Sequence, residues 1–334
     1  MRASQLIELL NFAILKKHNV LITGAPGIGK SEIVEGVVKS MDDTDFLLCH
    51  PVVEDPVDVK GLPALVDGKA EFLPYGNLRK LCEAKRRTVV MLDDLGQAPI
   101  AVQAAYMQLL LAREINGTKI SDEVTFIAAT NRHKDMAGVS GLIEPIKSRF
   151  RTIVELEINS DDWLEWAASN SMPPELVAFI RMRPAILAEF VPSREIKNSA
   201  SPRTIAGVGK MINDGLPKSL EFETFCGAIG EGPATEFINF LKVYRDLPNP
   251  LDILKEPKKA FLPTEPSQKY ALASALAYHA TSDNFSNYIQ YLERLGAEFN
   301  VMSMREAVKR NIKIMKAKDW PKWGTEYGPL MAGK

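Results

Sequence analysis

The sequence predicts an α/β domain organised around an anion-binding loop, continued by an all-helical C-terminal half. Three observations predict it. The stretch Gly24-Ala25-Pro26-Gly27-Ile28-Gly29-Lys30-Ser31 satisfies G-x-x-x-x-G-K-[ST] at every fixed position. Short apolar runs at 19–22, 46–49, 88–92, 124–129 and 152–156 read as buried strands separated by helical patterns and turns. Beyond residue 159 the apolar spacing reads mainly as helices.

The loop stands between a strand at 19–22 and a helix at 31–40, whose Ile33, Val34, Val37 and Val38 share one face. That strand–loop–helix context is what the motif requires. Glycines let the backbone wrap tightly, so successive N–H groups and the helix N-terminus converge on one anion. Lys30 adds a point charge for β- and γ-phosphates, Ser31 a hydroxyl for Mg²⁺, and Glu32 follows in the first turn. A nucleoside triphosphate is the expected ligand.

The strand at 88–92 ends in Asp93-Asp94. Two acids after a strand are common turn formers, but here they follow a phosphate loop by about 60 residues. Asp93 would hold Mg²⁺ through water, and Asp94 would polarise an attacking water. The strand at 124–129 runs into Thr130-Asn131, whose amide can orient water and touch a γ-phosphate; a turn-initiating asparagine is the bland alternative.

Composition excludes other classes. Of the 334 residues, 46% are hydrophobic and 25% charged, as in ordinary globular proteins, and the net charge is −1. No global basic footprint points to nucleic acid. No apolar run approaches the roughly 20 residues that span a bilayer. Residues 1–17 read as a helix of the fold, with Leu6, Leu9, Leu10, Ala13 and Ile14 at helical spacing and Glu8 and Asn11 interrupting any signal-peptide core. Cys49, Cys82 and Cys226 form no C-x-x-C pair, and the four histidines show no metal-ligand spacing. Buried thiols and a cytoplasmic location are expected.

Among the connections, 42–45 is a polar turn, 54–69 is loop-rich, and 66–72 reads as a hairpin tipped by Asp67-Gly68. A helix is expected at 101–112 and a hairpin tip at 115–118. Further helices are expected from 161, at 201–212 with Pro202 in its first turn, twice within 220–244, at 270–280 and at 288–295. Proline-rich stretches at 247–250 and 256–266 read as a boundary or strap. Residues 303–322 are rich in lysine and arginine, and Trp320 and Trp323 suggest packing there.

Phosphate loop, strand with terminal acids, strand ending Thr130-Asn131, then Ser148-Arg149-Phe150: this order over roughly residues 1–210 resembles an AAA+ ATPase, in wording closest to the MoxR branch. The resemblance implies a five-stranded parallel core flanked by helices, an all-helical lid, and a homo-oligomeric ring, usually a hexamer. It divides the chain into a core at 1–158, a lid at 159–248 and a helical C-terminal extension at 249–334. Asn131 matches sensor 1, Arg149 the arginine finger acting on a neighbouring subunit, and Arg203, in Ser201-Pro202-Arg203-Thr204, sensor 2. ATP with Mg²⁺ on Ser31 and Asp93 would be hydrolysed at subunit interfaces to remodel a partner protein, by resemblance one bearing a von Willebrand factor A-type domain. No membrane is implied; 66–72 and 115–118 are the candidate partner contacts.

Two positions depart from the family. Asp94 stands where glutamate is usual, so the carboxylate is set back by about a bond length and slow turnover is expected. Ser148 replaces an aspartate beside the finger, which leaves Arg151 and Arg132 as rivals to Arg149. The rival functions are a nucleic-acid loader or motor and a slow, nucleotide-gated scaffold.

Overall fold

Valine- and isoleucine-rich runs alternate their side chains between two faces, and in the N-terminal half both faces are covered by helices. The computed structural model describes residues 1–135, 141–193 and 196–331. The chain divides into two compact units, Met1–Asn159 and Ser160–Lys334.

The first unit contains β1 (Val20–Gly24), β2 (Thr44–Cys49), β3 (Leu62–Val66), β4 (Lys69–Leu73), β5 (Arg87–Leu92), β6 (Glu114–Ile115), β7 (Thr118–Lys119), β8 (Val124–Asn131) and β9 (Thr152–Glu155). Its helices are α1 (Ala3–Leu15), α2 (Lys30–Lys39), α3 (Pro56–Lys60), α4 (Gly76–Glu83), α5 (Ile100–Ala112) and α6 (Glu144–Lys147). Five strands form one parallel sheet in the order β2-β5-β8-β1-β9. Central β8 is buried along its whole length. Alternate residues feed opposite cores: Ile22, Met91 and Ile127 pack with Leu10 and Val34 of α1 and α2, whereas Leu21, Val90 and Phe126 pack with Leu78 and Leu109 of α4 and α5. The β3–β4 hairpin turns at Asp67 and Gly68, both with positive φ, as the Asp-Gly signal implies.

The loop expected across 54–69 contains a helix. Asp55 caps α3 in a box with Asp58, whose carboxylate accepts from the Asp55 N–H at 2.8 Å, and Pro56 occupies the first turn. Strand β2 begins two residues before its apolar run, on Thr44 and Asp45, because Arg86 pairs with Asp43 and Asp45 and secures that end.

The second unit is helical: α7 (Ser160–Ser169), α8 (Pro174–Met182), α9 (Pro202–Asn213), α10 (Glu221–Ile229), α11 (Glu231–Arg245), α12 (Pro250–Lys255), α13 (Pro266–His279), α14 (Phe285–Leu295), α15 (Ala297–Arg310) and α16 (Trp320–Met331). The middle of α13, Ala271 to Ala277, is buried on every side, and α13 packs on both α8 and α15. The boundary expected between residues 248 and 249 therefore falls inside a unit whose helices pack across it. Fully buried Glu306 lies 3.2 Å from Arg181 Nε and 3.7 Å from Arg310 Nε. The tryptophans near the C-terminus pack within the chain: Trp323 is buried, its Nε1 donates to Asn300 Oδ1 at 2.8 Å, and the Trp320 ring lies 5.4 Å away.

Candidate functional site

β1 ends at Gly24, where the chain passes the residue after β9 too closely for a side chain. A Cβ there would stand 2.9 Å from the Leu156 carbonyl oxygen. The loop then turns through Gly27 and Gly29, and Gly29 opens α2 with φ +93°, a left-handed conformation costly for any residue with a Cβ. Helix α2 starts at Lys30, so its unpaired N–H groups face the loop. Ala25, Pro26 and Ile28 form the rest of the cradle, and Glu32 sits in the first turn of α2.

Lys30 is buried, and its Nζ donates to the carbonyls of Gly24 and Ala25 at 3.0 Å and to Asn131 Oδ1 at 2.7 Å. The register of the sheet accounts for the third contact: Gly24 of β1 pairs with Asn131 of β8, so the Asn131 amide arrives beside the loop. Asn131 Nδ2 in turn donates to Asp94 Oδ1 at 3.1 Å. A continuous polar chain thus runs Lys30–Asn131–Asp94.

The second pair lies alongside. Ser31 Oγ donates to Asp93 Oδ1 at 2.7 Å. Asp93 follows the last residue of β5, and its N–H donates to the Cys49 carbonyl at the end of β2, at 3.0 Å. Asp94 then adopts φ 55°, ψ 36°, the left-handed region that aspartate and asparagine tolerate better than longer side chains. All these groups stand at the C-terminal ends of parallel strands, where open α/β sheets bind ligands. Ser31 and Asp93 present the hard oxygen donors magnesium prefers. Among the described residues no group of three or more His, Cys, Asp or Glu side chains could hold a metal. A magnesium ion here would therefore take its other ligands from phosphate and water.

Arg149 lies elsewhere. It follows α6 and precedes β9, and the neighbouring Arg151 N–H donates to the Asn19 carbonyl just before β1. Arg149 is therefore at the N-terminal edge of the sheet, about 13 Å or more along β1 from the loop at the other edge. It lines a cleft of about 400 Å³ with Lys17, Arg113 and Arg151, and its buried Nε has no hydrogen-bond partner. Arg132 follows β8 at the loop's edge and is held by its own chain: Asp135 accepts from Nε and Nη2, both at 2.8 Å, and Glu155 from Nη1 at 3.0 Å. Arg203 belongs to the second unit, in the first turn of α9, which Ser201 caps by accepting from the Thr204 N–H at 3.3 Å.

The basic cleft escaped sequence reasoning because residues 17, 113, 149 and 151 share no spacing. The Cys49 support of Asp93 escaped it because a backbone carbonyl leaves no side-chain signal.

The model of the ATPase family associated with various cellular activities (AAA) matches residues 20–158. No curated protein matches the chain. Among solved structures, a mutant of Thermotoga maritima RuvB is similar at 19% identity and TM-score 0.42, covering 88% of this chain and 87% of that one. NtrX from Brucella abortus is similar at 12% identity and TM-score 0.41, covering 92% and 68%. A putative ATPase from Cytophaga hutchinsonii is similar at 15% identity and TM-score 0.37, covering 91% and 79%. The five-stranded parallel sheet flanked by helices, followed by a helical region, is the AAA+ P-loop fold that the sequence resemblance implied.

Proposed function

We propose that this chain is a Mg-ATP-dependent AAA+ ATPase of the MoxR-like kind, which hydrolyses ATP between the subunits of a homo-oligomeric ring to remodel or activate a partner protein. The AAA match over residues 20–158 supports ATPase chemistry in general, and the site geometry is compatible with the roles given below. The observation that carries the reading is the polar chain Lys30–Asn131–Asp94 beside the Ser31–Asp93 pair, all at one sheet edge.

The loop backbone and Lys30 bind the phosphates; the ammonium would exchange the carbonyls it now contacts for phosphate oxygens. Ser31 and Asp93 would hold magnesium, which would supply positive charge to offset that of the phosphates. Asp94 orients the attacking water and accepts hydrogen bonding from it, while the Asn131 amide fixes the carboxylate through Oδ1. Water oxygen bonds to the γ-phosphorus as the bond to the β–γ bridging oxygen breaks, giving ADP and phosphate, with the water's proton passing to Asp94 or the departing phosphate. Arg149 is too far from its own loop to assist, which supports a role on the adjoining subunit's γ-phosphate. The cis pairing of Arg132 favours Arg149 or Arg151 over it. Arg203 would report nucleotide state to the second unit, and a von Willebrand factor A-type partner follows from the MoxR resemblance.

Phosphate release measured with mixtures of two inactive variants tests this directly. Lys30→Ala and Arg149→Ala chains should each be inactive alone and regain part of the turnover when mixed, because each restores the other's shared site. Mixtures that stay silent, or a chain that sediments as a monomer with saturating ATP, would overturn the ring reading. Turnover stimulated by DNA with a steep salt dependence would redirect it to a nucleic-acid motor.

A further inference from the structure

Beside β5 the sheet-bearing unit holds another cavity, of about 200 Å³. Val59 of α3, Leu78 and Leu81 of α4, Val90 of β5 and Leu109 of α5 give it an apolar lining. Glu54, Asp58, Tyr75 and Tyr106 supply its polar groups. Both carboxylates are half-buried, and each is fixed by a phenol: the Tyr106 hydroxyl donates to Glu54 Oε2, and the Tyr75 hydroxyl to Asp58 Oδ1. The Asp55 N–H donates to Asp58 Oδ2 at 2.8 Å.

These partners orient the two carboxylates without cancelling their charge. No basic side chain lines the cavity, and neither acid has an ion pair among the described residues. Burial holds the Glu54 carboxyl above its ordinary range; the Tyr106 hydrogen bond opposes that rise, Asp58 adds to it, and exposed His50 offsets it weakly. A cation in the cavity would offset both the desolvation and the mutual repulsion, whereas an anion would meet two like charges. A bare metal ion fits poorly, because among the described residues no group of three or more His, Cys, Asp or Glu side chains could hold one. The apolar lining suits a carbon body instead, and a cavity of about 150 Å³ is enough for a benzene ring. The two tyrosine rings add attraction for an ammonium.

One lining residue leads on to the phosphate loop. Cys49 ends β2, its Sγ accepts from Asn77 Nδ2 at 3.4 Å, and its carbonyl accepts from the Asp93 N–H at 3.0 Å. Asp93 in turn accepts from Ser31 Oγ.

We propose that this cavity is a binding site for a small organic ammonium with a one-ring or short-chain apolar body, whose charge Glu54 and Asp58 receive, and that occupancy reaches Asp93 through Cys49. The binding stands apart from the ATPase reading; only its regulatory meaning, control of turnover at Asp93, rests on that reading.

The test uses the full chain without nucleotide, its valine and leucine methyls labelled with carbon-13 and its amides with nitrogen-15, titrated with 2-phenylethylamine, an ammonium at neutral pH. Methyls of Val59, Leu81, Val90 and Leu109 should shift, while those of Val34 and Val37, on the opposite face of the sheet, stay still. The Asp93 amide should shift with the same midpoint. 2-Phenylethanol keeps the ring and loses the charge, and should bind about tenfold more weakly or worse; phenylacetate should not bind. Glu54→Gln keeps an acceptor for Tyr106 and should weaken the amine about tenfold while leaving 2-phenylethanol where it was. Methyls of α2 at their wild-type positions show that the variant is folded. Equal affinity for amine and alcohol, unaltered amine affinity in Glu54→Gln, or no methyl shift at millimolar amine would each overturn the site. The comparison of amine with alcohol is made on the unaltered chain, so it decides the matter even where the variant fails to fold. Cavity shifts with a silent Asp93 amide would overturn the link and keep the site. Failed subunit mixing would remove the ring and leave these results untouched.

Discussion

Ser31 Oγ and Asp93 Oδ1 are 2.7 Å apart and hydrogen-bonded, so the two side chains assigned to magnesium hold each other in place across the start of α2 and the end of β5. The pair is preorganised: the serine hydroxyl has only to turn its proton away to offer a lone pair. Both partners are therefore expected to matter to turnover more than to folding. Ser31→Ala and Asp93→Asn should each lower phosphate release about a hundredfold, the scale of losing one electrostatic contact in an active site. Magnesium titrations should show a raised requirement in both, with the thermal midpoint nearly unchanged.

Asp94 combines a left-handed backbone with a hydrogen bond from Asn131 at 3.1 Å. Glutamate there would move the carboxylate forward by about a bond length, toward the position where misplacements of order 1 Å cost around a hundredfold. Asp94→Glu should speed turnover by about tenfold or more while lowering the melting temperature slightly, since longer side chains tolerate that backbone less well. Asp94→Asn should leave ATP binding intact and remove most hydrolysis. Equal rates for wild type and Asp94→Asn would show that Asp94 takes no part in the chemistry.

Burial, reinforced by the nearby Glu54 carboxylate, pushes the Cys49 thiol up to about 12. At pH 8 its alkylation should be slower than that of an unfolded cysteine on the order of a thousandfold, since only the thiolate reacts. The sign for stability follows. A folded-state value above the unfolded one favours the native state fully below the ordinary cysteine range near 8.5, and that contribution fades as the pH climbs from there toward 12. Denaturant midpoints measured from pH 8 to 11 should fall more steeply in wild type than in Cys49→Ala.

Glu306 is fully buried, accepts from Ser274 Oγ at 3.1 Å and faces both Arg181 and Arg310. Glu306→Ala would strand two largely buried guanidinium groups and should cost about 3–5 kcal/mol, the range for breaking a buried pair from one side. Asp252→Asn, which breaks an exposed pair with Lys255 on α12, should leave the denaturant midpoint where it was. Equal, small effects in the two variants would show that the buried cluster is not holding α8 to α15.

Most of the first unit could be read from local chemistry. Val20, Val89, Val90, Phe126 and Ile127 are apolar because both faces of a parallel sheet are covered, and continuous apolar runs expose that directly. The Asp67-Gly68 and Asn116-Gly117 turns carried their own signals. Helix α3 was hidden: Pro56 resembles a loop residue unless Asp55 and Asp58 are seen to form a cap around it. Helix α8 was hidden because Leu176 to Ile180 is buried without a break, so no polar stripe marks the helical period. At the site, Lys30, Ser31, Asp93 and Asn131 stood out by motif, but the bond that joins Lys30 to Asn131 depends on the pairing of Gly24 with Asn131 across two strands. Register of that kind is a long-range property, and no window of sequence contains it.

All four tryptophans, Trp163, Trp166, Trp320 and Trp323, lie in the second unit, and Trp323 is sealed against Asn300. Emission excited selectively at tryptophan is therefore an optical gauge of the helical half, whereas Tyr75 and Tyr106 lie in the sheet-bearing half. Comparing that emission with far-ultraviolet circular dichroism during denaturation would separate the two halves without any label. A red shift on adding ATP would mark a disturbance that had travelled out of the sheet-bearing half.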